Sequence, residues 1–154
     1  MRSFLCTIGS LSLLLASCGT TTSPATDAGS TSEDVNLGPG FGNLYTGLKM
    51  QAGCAVSGCH DKSGAKVSGN LDLSSEDTAF AALTSGTKDG GCAIPRVTPG
   101  DHAKSSLWIR LNTTTSKLVT CGGTKASPMP SGGPYYSAGQ IAAVAAWIDA
   151  GATK

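Results

Sequence analysis

The stretch Cys54-Ala55-Val56-Ser57-Gly58-Cys59-His60 decides how the rest of the chain is read. It places two sulfurs in one short loop and an imidazole directly after the second. Two thiols able to form thioethers beside a His are what covalent attachment of haem requires, because the sulfurs join the vinyl groups and the imidazole lies under the iron. The usual motif has two residues between the cysteines, and here there are four. The Cys59-His60 adjacency is intact, so the second thioether and the proximal ligand keep their ordinary relation. The two extra residues have to bulge, and Ser57-Gly58 suits a backbone that bends. The same residues allow another reading, a Cys54–Cys59 disulfide beside an exposed His.

A haem with one protein ligand needs a second to be low-spin and suited to electron transfer. Downstream of the N-terminal leader only Met50, Met129 and His102 offer a neutral sulfur or nitrogen. Met50 lies four residues before Cys54 on the same expected helix, so it does not reach the opposite haem face. Met129 is better placed. It follows His60 by 69 residues, in Ser127-Pro128-Met129-Pro130, where the prolines stiffen the loop. Outside a haem protein such a Met is more often a packing residue. His102, just inside an expected helix start, is the competing sixth ligand.

Helical periodicity surrounds the motif. Phe41, Leu44, Tyr45 and Leu48 recur at helix spacing, which predicts an amphipathic helix over 41–52 running into Cys54. Ser74 is the expected cap of a second helix over 75–84, with Phe80 and Leu83 inward. Asp101 is expected to cap a third, in which Leu107, Trp108 and Leu111 share a face. Ser137-Ala138-Gly139-Gln140 fits the S-x-x-Q capping box and opens a fourth helix through Ala150, with Ile141, Val144, Ala145 and Ile148 on one side. The segments 85–100 and 112–133 read as loops. No alternating pattern longer than four residues points to a strand, and no repeat is visible. The fold class is therefore all-α, about four helices with long loops. Such extended irregular stretches in a small domain need something to organise them, and a large apolar prosthetic group would do so.

Composition narrows the partners. The 154 residues include 21 Gly, 7 Pro and 6 Cys, with three Phe, three Tyr and two Trp. That is one ordinary domain with few aromatics to fill its interior. Eleven basic against ten acidic side chains give a formal charge of +1, which leaves no electrostatic footprint for nucleic acid.

The N-terminus reads as an address. Arg2 precedes an apolar run, Phe4 to Ala16, of about 13 residues, too short for a bilayer that needs roughly 20. Leu15-Ala16-Ser17-Cys18 resembles the lipobox of bacterial lipoproteins, which implies a signal peptide over 1–17 and lipidation of Cys18. An ordinary secretory peptide with Cys18 incidental is the alternative, and both place the domain outside the cytoplasm. Residues 18–40, rich in Ser, Thr, Gly and Pro, read as a flexible tether, leaving 41–154 as the domain.

Taken in order, the helix, C-x(n)-C-H, mid-chain helices, Met-Pro loop and C-terminal helix resemble a small class I c-type cytochrome. Leu71-Asp72-Leu73-Ser74, Arg96-Val97-Thr98-Pro99-Gly100-Asp101, Met129-Pro130 and Ile148-Asp149-Ala150-Gly151-Ala152 look like the cytochrome c-like domains of planctomycete and myxobacterial secreted lipoproteins. The resemblance covers nearly all of 41–152. It implies one covalent haem c, with Cys54 and Cys59 as anchors, His60 as proximal ligand and Met129 as distal ligand. The sequence departs from it in the four-residue spacer and in His102, where the family often has Pro.

With those roles assigned, Cys6 leaves with the signal peptide, Cys18 carries lipid, and Cys92 and Cys121 remain as a pair. A bridge between them would contribute about 3 kcal/mol on the loop-entropy model and steady the Met129 loop. Zinc at these two lacks His or acid partners at the right spacing. Arg96, Arg110 and Trp108 are candidates to meet haem propionates. The expected activity is single-electron transfer without bond-making chemistry, by a carrier anchored to a membrane, more readily the outer one, and docking transiently with redox proteins. The competing classes are a haem-free disulfide-bonded surface module and a sensor or peroxidase-like haem protein with an open distal site.

Overall fold

The computed structural model describes residues 40–62 and 67–154. The expected signal peptide, Cys18 and the tether up to residue 39 lie outside the described residues. Helix α1 spans Phe41–Gly47 and buries Phe41, Leu44 and Tyr45, with Leu48 completing the face just past its end. The helix stops there instead of running on to residue 52. Lys49 adopts a left-handed conformation (φ 50°) and a single π-turn follows over Met50–Cys54. On a continuous helix Met50 would sit about 180° from Phe41, facing solvent. The break turns it inward, where it is 2 % exposed. The carbonyls at the end of α1 find side-chain donors: Gln140 Nε2 donates to Gly47 at 3.2 Å and Tyr136 Oη to Leu48 at 2.9 Å.

Helix α2 spans Glu76–Thr84 and is capped by Ser75, one residue later than expected, whose Oγ accepts from the Thr78 amide at 3.2 Å. Ser74 is drawn instead into a turn, its amide donating to Asp72 Oδ1. Glu76 and Asp77 in the first turn complement the helix dipole. The expected third helix is two pieces. Asp101 caps only a 3₁₀ turn over His102–Lys104; the chain then extends at Ser105 and restarts as α3, Ser106–Leu111. The buried Ser105 hydroxyl explains the pause, because it donates to the Asp101 carbonyl and accepts from the Thr98 amide. Helix α4, Ala138–Asp149, carries the full capping box between Ser137 and Gln140 and buries Ile141, Val144, Trp147 and Ile148.

Phe41 is the hub of the core. Its ring lies 5.3 Å from that of Phe80 on α2, 5.2 Å from Trp147 on α4 and 6.1 Å from Tyr45. These tilted and edge-on contacts are the geometry aromatic quadrupoles favour. One continuous core results, drawing on α1 to α4 and on Leu73 and Val97 from the loops.

The all-α expectation needs amendment. Within 112–133 the chain forms an antiparallel ribbon, β1 Val119–Cys121 and β2 Thr124–Ala126, joined by Gly122-Gly123 with both glycines at positive φ. That two-residue turn follows the right-handed twist of the strands. A Cβ at Gly122 would stand 2.9 Å from Ile94 Cγ2, so the ribbon presses against the 93–94 loop. Between them lies the Cys92–Cys121 disulfide, buried with Ala126 in a second small cluster bordered by Ile94, Ile109 and Val119. The described chain is thus helix-rich with one small ribbon.

Candidate functional site

The π-turn delivers Cys54 to the edge of the core, and the chain then coils into one compact loop. The Cys59 amide donates to the Val56 carbonyl at 2.9 Å and the His60 amide to the Cys54 carbonyl at 3.1 Å. Gly58 absorbs the bend at φ 84°. Cys54 is half-buried, Cys59 exposed, and the two are unbridged.

His60 is held from both sides by the segment 71–73. Its carbonyl accepts from the Leu73 amide at 2.8 Å, and its Nδ1 lies 3.1 Å from the Leu71 carbonyl oxygen. A carbonyl only accepts, so Nδ1 is the donor and the lone pair is on Nε2, the tautomer that binds a metal. Burial pushes the imidazole below its ordinary range. Backbone groups of Leu71 and Ser68 partly offset that, while the nearby Arg96 and Arg110 cations add to it. The ring is therefore neutral at neutral pH, the form a metal requires.

The acceptor strand is itself braced. Arg96, 6 % exposed, donates to the carbonyls of Gly69, Asn70 and Ala82 and so ties the turn before Leu71 to the end of α2. The sequence offered Arg96 as a propionate partner; the structure spends its guanidinium on backbone carbonyls instead.

Tyr136 bridges the end of α1 and the last residue of the π-turn. Its hydroxyl donates to Leu48 O and lies 3.5 Å from Cys54 Sγ. Burial raises the Cys54 thiol, the Tyr136 contact lowers it in part, and Cys59 raises it again; burial also raises Tyr136 well above the usual phenol range.

Met129 is half-buried and packs against the main core, as Cys54, Ala55, Leu71, Phe80, Leu107, Trp108, Tyr136 and Ala143 also do. Its amide donates to the Arg110 carbonyl at 2.9 Å. Met50 is sealed in the core. His102 sits at the far end of α4, its Nδ1 2.7 Å from Asp149 Oδ2 and its ring edge-on to Trp108 at 4.6 Å. The Trp108 Nε1 is buried and has no acceptor among the described residues. Tyr136 and Leu71 were missed in reading the sequence, since nothing in a lone Tyr or a backbone carbonyl marks either.

Among the described residues no three His, Cys, Asp or Glu side chains converge as a metal cage, and no helix is long and apolar enough to cross a membrane. No protein-family model matches the chain, and no curated protein or solved structure does either.

Proposed function

We propose that the chain is a lipid-anchored monohaem c-type cytochrome, a one-electron carrier of the cell envelope with a small class I cytochrome c-like fold. The observation that carries this reading is the His60 Nδ1 contact with Leu71, which leaves Nε2 as a preset ligand beside two unbridged thiols. Two further features support the reading. Half-buried apolar side chains, Met129 among them, border the core, and the Trp108 N–H is a buried donor that a propionate would satisfy.

Cys54 and Cys59 would hold the porphyrin, His60 the proximal side of the iron and Met129 the distal side. When bound, the haem supplies a one-electron Fe(III)/Fe(II) couple, which His/Met ligation places higher than bis-His ligation does. The protein's own part is to hold the imidazole neutral and oriented and to stiffen the ligand loop. Met129 is assigned ahead of His102 because the resemblance gives that role to the Met-Pro loop, while His102 lies at the far end of α4 beside Asp149. A carrier of this kind makes no bonds in its substrate, and its partners are redox proteins that dock weakly. Cys18 would fix it to a membrane, more readily the outer one, since Gly19 follows it in place of an Asp.

The reading is tested on purified mature protein by denaturing extraction followed by a pyridine haemochrome spectrum. Pigment that stays with the polypeptide supports it. A colourless, stable domain with a second disulfide between Cys54 and Cys59 favours a haem-free module.

A further inference from the structure

Resting on that reading, the geometry points to Arg110, locked by Asp89, as the positioning residue that presents the Met129 thioether to the haem iron. Arg110 holds the Met129 loop with both its ends. Its carbonyl accepts from the Met129 amide at 2.9 Å, and its Nη1 donates to the Ser127 carbonyl at 3.0 Å. Two residues of one loop are therefore fastened to one residue of α3.

The fastening is rigid because the guanidinium is itself held. Nη2 donates to Asp89 Oδ1 at 3.0 Å, and Nε makes an ion-pair contact with Oδ2 at 2.6 Å without a hydrogen bond. The Arg110 and Asp89 side chains are 13 % and 17 % exposed, so this two-point pair is little screened, unlike the solvated pairs at Asp101–Lys104 and Asp77–Lys154. Asp89 is anchored in turn by its amide on the Ile94 carbonyl, three residues before Cys92. The disulfide then joins that loop to the ribbon that leads into Ser127. Loop and ligand are thus tied to α3 by two hydrogen bonds and to the 89–95 loop through the guanidinium and the disulfide.

An iron–thioether bond is weak and survives only where the sulfur is held ready for it. A Lys at 110 keeps the charge and loses the fork that spans Ser127 and Asp89. A methyl group at Gly91 would collide with Arg110 Nη2 and displace the guanidinium, leaving Arg110, Asp89 and Met129 in the sequence.

The experiment compares wild type, Arg110→Lys, Gly91→Ala and Met129→Ala as purified ferric holoprotein. It follows the near-infrared sulfur-to-iron charge-transfer band and the affinity for added imidazole, which competes with the thioether. Both positioning variants should keep covalent haem and the Cys92–Cys121 bridge, lose half or more of the band, and bind imidazole about tenfold more tightly. Should Arg110→Lys not fold, Gly91→Ala supplies the same comparison with the Arg110 side chain intact. A folded variant with wild-type band and imidazole affinity overturns the role of Arg110. Wild type that lacks the band and binds imidazole like Met129→Ala overturns the Met129 assignment itself, a separate failure.

Discussion

His60 Nδ1 stands 3.1 Å from the carbonyl oxygen of Leu71, and the neighbouring Leu73 amide returns a hydrogen bond to the His60 carbonyl. The ring is therefore oriented before any ligand arrives. A side chain at 60 that lacks an imidazole loses both the lone pair and the orientation. His60→Ala should lower the yield of haem-containing protein on the order of tenfold or more, the range in which metal sites respond to loss of a supporting contact. Absorbance of the covalent pigment per mole of polypeptide measures it, and a yield equal to wild type would contradict the proximal role.

Tyr136→Phe removes one hydroxyl and with it two contacts, on Leu48 O and on Cys54 Sγ. The Leu48 carbonyl at the end of α1 then loses its donor in a half-buried setting. A cost of about 1–3 kcal/mol in the haem-free domain is expected. Denaturant unfolding reads it directly; a change within error of zero would mean that water replaces the phenol freely.

Stability of the haem-free domain should decline at alkaline pH. Burial raises Cys54 above its ordinary 9.0, and raises Tyr136 and Tyr45 above 10.0. The folded state keeps these protons where the unfolded chain releases them, so their stabilisation is complete below pH 9 and is lost as pH climbs through the raised values. The slope is at most about 1.4 kcal/mol per pH unit for each proton. Unfolding midpoints between pH 8 and 10.5 test this, and Cys54→Ala should flatten the first part of the decline.

Replacing Cys92 and Cys121 together by Ser should cost about 3.6 kcal/mol from loop closure alone, since the bridge spans 29 residues. Both sulfurs are buried, at 1 % and 0 % exposure, so lost packing adds to that figure. Guanidinium unfolding of the haem-free domain provides the number. Full stability in the double variant would show that the small second cluster holds without its bridge.

Much of this was legible in the residues, and the failures have identifiable causes. The capping box at Ser137 and Gln140 is a local signal, and α4 forms where it predicts. The face Phe41, Leu44, Tyr45, Leu48 is likewise real, but periodicity does not show that Met50 belongs inside, and the helix breaks at Lys49 to put it there. Ser105 halts the third helix through bonds to Thr98 and Asp101 that no helical pattern encodes. Three-residue strands are too short to leave an alternation, although the Gly122-Gly123 turn was a usable hairpin signal. At the site, the sequence names atoms that carry chemistry. It does not name the backbone carbonyl of Leu71 or the clamp of Arg110, which exist only after folding.

The most direct test of the account is the intact mass of the protein extracted undenatured from the cells that make it. A polypeptide starting at Cys18, bearing acyl chains and one haem, is the expected result. A mass equal to the polypeptide and its acyl chains, with nothing further, would contradict the central claim.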